Sequence, residues 1–387
     1  MRTPLAWKNL TADWRRLSLG VAGVGFAVVL MFMQNGFRNA LLDSPVQMVR
    51  MLDADLVAIS PARYSLPSEH RFPLNLLQRA ATDPDVTDVI PLYIERQRAQ
   101  LRVQENARRP IRVLGVSLES TVFTDPEIEA ALPALRRPRT ALLDRSTRRE
   151  YALATRDWER LSNQAIELSN RDLDIVGTVR IGTDFANEGT LIMSEDNFAD
   201  YFPFRGDGAP LQTVDLGLIR LRPGADPRTV ASRLREQGAG EWEVMPRGAL
   251  IQREINFWSN QTPIGMIFLV GSLMGFAVGV IICYQILFTS IHDAMPEFAT
   301  LKAMGYSNRF FLTLVIRQSL YLSLIGFVPA LLASWGLFQL LEAVVGLPMI
   351  LDPLRIGIVL LWTVAMCLIS GLLALRKLLH ADPASLF

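Results

Sequence analysis

Four uncharged apolar runs, one near the start of the chain and three crowded toward its end, limit what this sequence can fold into more than any other feature. They cover residues 17–37, 262–287, 320–341 and 356–375, and none contains Asp, Glu, Lys, Arg or His. An α-helix rises about 1.5 Å per residue, so about 20 apolar residues cross a hydrocarbon core of about 30 Å. Residues 38–261, between the first run and the second, are of ordinary water-soluble composition. The expected architecture is a membrane α-helical protein with four transmembrane helices and a large α+β domain inserted between helices 1 and 2. The first run is longer than a signal-peptide core and no A-x-A site follows it, so it is expected to stay as a membrane anchor.

The remaining composition excludes several functions. Net charge is +1, so no global basic field points to nucleic acid. The two cysteines, Cys283 and Cys367, fall inside predicted spans, which leaves the soluble domain to fold without disulfides. His70, His292 and His380 lie far apart, so no metal-ligand spacing occurs. There is no G-x-x-x-x-G-K-[ST] loop to cradle a phosphate, no G-x-S-x-G and no H-E-x-x-H. Asp184, Glu195 and Asp196 stand among loop-forming residues and read as solvated surface. No catalytic, metal-binding or cofactor-binding residue is assigned. An ionisable side chain at mid-membrane costs about 2.5–3.5 kcal/mol, and such residues persist where ions or protons pass. Their absence argues against a proton- or sodium-driven carrier, so energy is expected to come from another chain.

Basic residues set the orientation. Arg2, Lys8, Arg15 and Arg16 precede the first run, Lys302, Arg309 and Arg317 separate the second from the third, and Arg376 and Lys377 follow the fourth. Only Arg355 edges the segment between the third and fourth. The positive-inside rule puts both termini in the cytoplasm and the large domain outside. The chain then divides as follows. Residues 1–16 form a cytoplasmic amphipathic helix, with Thr3 and Pro4 at its start and Trp7, Leu10 and Trp14 on one face, or simply continue the first span. Helix 1 is 17–37, the outer domain 38–261, and helix 2 262–288. Residues 289–317 hold a short cytoplasmic helix and the start of helix 3, which spans 318–342. A short outer loop (343–355), helix 4 (356–376) and a cytoplasmic tail (377–387) complete the chain. Within the domain, strands at 55–60, 86–103, 111–116, 214–221 and 241–245 and helices at 73–81 and 227–237 suggest one sheet built from 38–118 and 211–261. An inserted subdomain, 119–210, is expected to carry its own strands at 140–143, 165–168, 173–181 and 190–193.

Two features of the membrane part stand out. Gly271, Gly275 and Gly279 recur every four residues, a spacing that lets helices approach closely within one chain or against a second copy. Between helices 2 and 3 runs His-Asp-Ala-Met-Pro-Glu-Phe-Ala-Thr-Leu-Lys-Ala-Met-Gly-Tyr, residues 292–306. Pro296 suits a first helical turn, acidic Asp293 and Glu297 sit near its start, Lys302 lies in its last turn and Gly305 stops it. Phe298, Leu301 and Gly305, with Met304 beside them, form an apolar ridge. Such a helix either lies against lipid or plugs a groove on a soluble partner.

Several stretches carry a resemblance: residues 5–10 (LAWKNL), 31–44 (MFMQNGFRNALLDS), 182–185 (GTDF), 298–306 (FATLKAMGY) and the closing 381–384 (ADPA). Together with the one-plus-three layout they resemble the DevC-type permeases of the FtsX/MacB-like ABC transporter family. The resemblance implies that Met295, Pro296, Glu297, Phe298, Thr300, Leu301, Lys302, Met304, Gly305 and Tyr306 form a coupling helix docking on a separate ATP-binding subunit, which would hold ATP and Mg. It implies an inner-membrane homodimer, a porter-like periplasmic head, a membrane-fusion adaptor and a TolC-like outer-membrane channel. A glycolipid or other amphiphile is the implied cargo. FtsX-like control of a cell-wall hydrolase and lipoprotein release are the alternative roles. No enzymatic activity is implied for this chain itself.

Overall fold

The computed structural model describes residues 7, 11, 13–104, 106–155, 157–184, 186–205, 208–345, 349 and 351–379. The chain forms two compact units, one of residues 1–40 with 263–387 and one of residues 41–262. Thr3, Pro4, Leu10, Phe185 and the closing Asp382-Pro383-Ala384, all named in the sequence reading, lie outside the described residues.

The first unit is a helical bundle. Its long helices are Trp14–Met51, Pro263–Asp293, Asn308–Val345 and Pro353–Leu379, here spans 1 to 4, with a short helix, Met295–Ala303, between spans 2 and 3. All four are long and apolar enough to cross a membrane. Their shared core holds Val24, Ala27, Met31, Cys283, Leu287, Val315, Leu322, Phe327, Met366, Cys367 and Ala374. Near the start of span 1 the Trp7 ring meets Tyr321 of span 3 edge-on, 5.6 Å between centroids.

Span 1 outlasts its apolar run. Charge begins at Arg38, where the sequence reading ended the helix, yet the helix runs on to Met51 with Pro45 inside it. A helix needs only one buried stripe. Met48, Val49 and Leu52 supply it in residues 41–52, packing against a face of the sheet in the second unit.

That sheet organises residues 41–262. It has eight strands in the order Asp174–Val179, Thr140–Asp144, Thr190–Ser194, Arg112–Val116, Val86–Glu95, Leu216–Leu221, Leu56–Ile59 and Glu243–Pro246. The first pair and the Thr190–Ser194/Arg112–Val116 pair are parallel, and the other neighbours are antiparallel. Successive side chains alternate between two cores. Leu56, Ala58, Val113, Leu143, Leu191, Met193 and Ile219 face a layer with Leu76, Leu77, Phe198, Val230 and Leu234. Val57, Ile59, Leu114, Leu142, Ile192 and Leu218 face Met48, Val49, Phe123, Ile128 and Leu250. With both faces covered, Arg112–Val116, Thr140–Asp144 and Thr190–Ser194 are buried at every position. The helix Pro227–Gln237 begins where its sequence dictates: Asp226 accepts from the Thr229 amide at 3.0 Å and Pro227 fills the first turn.

Two expectations are corrected. The strand read as 86–103 breaks after Glu95, whose Oε1 accepts from the Arg98 amide (3.1 Å) across a turn. Gln100–Val103 then leaves for a separate four-stranded sheet with Arg109–Pro110, Ile166–Leu168 and Arg171–Asp172. Residues 119–210 are not a separate subdomain either. Their strands continue the main sheet from Arg112–Val116, and Ile166–Leu168 pairs with Gln100–Val103.

Candidate functional site

The short helix Met295–Ala303 starts directly after span 2, separated from it by the turn at Ala294. Pro296 sits in its first turn, where a missing amide costs nothing. Its end is closed by Gly305, whose φ of +92° is the left-handed conformation glycine adopts without strain. The Tyr306 amide then donates back to the Leu301 carbonyl (3.2 Å), the six-to-one bond of a Schellman cap, and the Met304 amide donates to the Thr300 carbonyl (3.1 Å). Span 3 begins at Asn308, with the Tyr306 ring 4.7 Å from that of Phe310.

The helix has two distinct faces. Met295 and Leu301 pack against the bundle core. Pro296, Glu297, Thr300 and Met304 are exposed, and their spacing places them along one stripe. Met304 is 64% exposed and Tyr306 45%. Leu301 is half-buried against the bundle, and the open apolar groups among the described side chains of this stretch are Met304 and Tyr306. The side chains of Phe298 and Lys302 lie outside the described residues.

Earlier in span 2, the small residues face other spans of the same chain. A Cβ on Gly271 would meet Gln34 of span 1, one on Gly275 would sit in ordinary contact with Leu30 and Met31, and one on Gly279 would run into Met366 of span 4 and Ala27 of span 1. Span 4 adds a polar tie: Ser370 Oγ donates to the Val280 carbonyl at 2.8 Å. Nearby, the sulfurs of Cys283 and Cys367 lie 3.7 Å apart, both fully buried. Both cysteines are free.

The second unit holds a cluster that the sequence did not reveal. Asp215, fully buried, accepts from Arg63 (2.7 Å) and from the Ile94 amide (2.7 Å), and it pairs with Arg205 and with Arg71 (3.4 Å). Glu95 faces Arg71 at 3.2 Å and Arg205 at 3.9 Å, and Glu69 faces Arg71 at 3.6 Å. Three guanidinium groups thus meet three carboxylates. The Arg205 guanidinium also lies over the rings of Phe198 (5.1 Å) and Tyr93 (5.4 Å). Burial, followed by the neighbouring Arg71, lowers Arg63 to about 10 and Arg205 to about 9, so both remain cations at neutral pH. The same arginine reaches outward: Arg63 donates to the Leu66 and His70 carbonyls, while Glu254 accepts from the Leu66 amide (2.9 Å) and from Trp258 Nε1 (2.8 Å). Burial pushes the Glu254 carboxyl above its usual range.

Asp184 is also corrected. It is buried and pairs with Arg112 at 2.7 Å, and Arg112 further donates to Thr190 Oγ1. Glu195 is half-buried in the first turn of the helix Glu195–Tyr201, and burial raises its pKa; Asp196 is exposed as expected. No group of three or more His, Cys, Asp or Glu with metal-binding geometry occurs among the described residues. The arrangement in this unit ties loops to strand ends.

Among solved structures, the chain is similar to the periplasmic region of MacB from Actinobacillus actinomycetemcomitans, with 9% identity over 55% of this chain and 96% of that one and a TM-score of 0.36. It is likewise similar to the extracellular domain of the noncanonic ABC-type transporter YknZ from Gram-positive bacteria, with 10% identity over 50% of this chain and all of that one and a TM-score of 0.34. Neither score reaches the level of a shared fold. No curated protein matches the chain. The short helix, spans 3 and 4 and the Cys283–Cys367 contact all lie in residues 269–383, and that segment matches the family described as FtsX-like permease C-terminal.

Proposed function

We propose that this multi-pass membrane protein is the permease subunit of an ABC transporter, driven by a separate ATP-binding subunit that docks on the short helix Met295–Ala303. The observation that carries this reading is the exposed stripe of Pro296, Glu297, Thr300, Met304 and Tyr306 on a Schellman-capped helix, inside the segment that matches FtsX-like permeases. A capped helix keeps its shape when pushed, and its inner side, Met295 and Leu301, already rests on the bundle. Motion at the docking surface is thereby passed to the spans. ATP and Mg would be held by the partner.

The wider assembly belongs to the same proposal: an inner-membrane homodimer with residues 41–262 in the periplasm, an adaptor, a TolC-like channel and an amphiphilic cargo. The test is co-expression with a candidate ATP-binding subunit. Met304→Asp and Tyr306→Asp are expected to weaken association at least tenfold while the chain still inserts. Wild-type association in both variants refutes the docking face. Capture of an adaptor and channel supports export, whereas capture of a cell-wall hydrolase instead turns the reading toward regulation.

A further inference from the structure

Spans 2 and 4 touch at every turn along a shared length. The Phe276 and Trp362 rings meet edge-on at 5.4 Å. Gly279 leaves room for Met366, and Ser370 donates to the Val280 carbonyl at 2.8 Å. Cys283 meets Cys367 at 3.7 Å, and Gly371, which faces Ser319 and Val315 of span 3, has Leu287 of span 2 at ordinary contact distance. From Phe276–Trp362 through Gly279–Met366 and Cys283–Cys367 to Leu287–Gly371 the partners advance together on both helices, so the two run parallel. Phe276, Val280, Cys283 and Leu287 follow steps of four, three and four residues, the spacing of a heptad seam. The contact persists for roughly 16 Å at about 1.5 Å per residue. Within hydrocarbon, small residues and interhelical hydrogen bonds are what hold helices together, and this seam has both.

We propose that spans 2 and 4 are a permanently closed pair that moves as one body, with the Cys283–Cys367 dithiol buried inside the seam in every working state. The consequence rests partly on the proposed function: the short helix leaves the end of span 2, so a push on it is delivered to span 4 in the same movement. A bundle whose helices slid individually would have to open this seam.

The sequence holds two cysteines, and both lie in this seam, so thiol chemistry on this chain in native membranes reports on the seam. Iodine is the oxidant. Two thiols each lose a proton and an electron to form the S–S bond, and I2 is reduced to two iodide ions. The expected product is an internal disulfide joining peptides of spans 2 and 4, seen by mass spectrometry after digestion and reversed by reductant. In parallel, N-ethylmaleimide is expected to label the native protein at less than a tenth of the rate seen after SDS. Labelling at the denatured rate, or a disulfide that links two chains instead of two spans, overturns the closed seam. With the ATP-binding subunit bound, ATP turnover after oxidation is expected to stay within twofold of a Cys283→Ser control treated in the same way. A tenfold fall restored by reductant overturns the single-body motion. Failure of the subunit to bind at all counts against the docking reading, while the iodine and maleimide outcomes still decide the seam.

Discussion

Replacing Asp215 by Asn is expected to be among the most damaging single changes in residues 41–262. The substitution keeps shape and one carbonyl acceptor but deletes a fully buried negative charge that answers Arg63 at 2.7 Å, Arg71 at 3.4 Å and Arg205. Three cations are left with Glu95 and Glu69, and of these five groups Arg63, Arg205 and Glu95 are almost wholly buried. Breaking a buried pair by removing one partner costs about 3–5 kcal/mol, against a total domain stability of about 5–15 kcal/mol. At about 2–4 °C per kcal/mol for a unit of this size, the unfolding midpoint falls by about 6–20 °C. The assay is a short thermolysin pulse on the detergent-purified full chain across a temperature series, following the fragment of residues 41–262. Arg205→Met combined with Asp215→Leu removes charge from both sides and is expected to recover much of the loss, because the penalty comes from the unpaired charge. A midpoint for Asp215→Asn within about 2 °C of the unchanged protein would refute the view that these groups are mutually dependent.

Three further outcomes follow from the geometry. Asp83 is held below the usual carboxylate range by its side-chain bonds to Arg233, at 2.7 Å to each oxygen. Its contribution is therefore present above the unfolded carboxylate pKa and disappears as pH falls through the lower folded value. Arg233→Ala should lower the unfolding midpoint at pH 7 but not near pH 2, and an equal effect at both would contradict the pairing. Gly305→Ala forces a side chain into φ +92°, at a cost of about 1 kcal/mol. Association with the ATP-binding subunit should weaken about fivefold in a binding titration. Gly279→Leu drives new atoms into Met366 and Ala27 and should destabilise the bundle by about 1–3 kcal/mol. Gly336→Leu, where nothing lies within 4 Å, should leave thermal unfolding unchanged.

The parts legible in the sequence were those governed by a local rule. Hydrocarbon demands uncharged runs of a fixed length, so four spans could be read directly. The helix read as 227–237 begins at Pro227 as expected, and Gly305 announced a helix stop. What escaped was set by groups distant in sequence. Helix 1 continues past Arg38 because Met48, Val49 and Leu52 find a sheet built from later residues. Asp184 looked like loop surface because its partner, Arg112, lies 72 residues earlier. An arginine opening the otherwise apolar strand Arg112–Val116 was the available hint that a buried carboxylate waits nearby. Arg63 and Arg205 gave no such cue, since each sits alone among turn-forming residues, whereas Asp215, a lone charge between Val214 and Leu216 in the strand read as 214–221, carried the same hint as Arg112. At the short helix, the position of the stop was readable but the facing was not. Leu301 and Met304 are equally apolar, and only the packing of the spans decides that the first turns inward and the second outward.

The continuous sheet has a consequence for how such a chain can be altered. Thr190–Ser194 lies beside Arg112–Val116, buried at all five positions, so residues 119–210 cannot be lifted out as a cassette. Excision would leave the buried five-residue strand Arg112–Val116 with its hydrogen-bonding groups bare, the kind of edge on which chains stick to one another. The places that tolerate growth are the two rims, Asp174–Val179 and Glu243–Pro246. Grafts designed to give this protein a new outer surface belong there or in the exposed turns, and a module exchanged across the middle of the sheet should yield aggregate instead of a chimera.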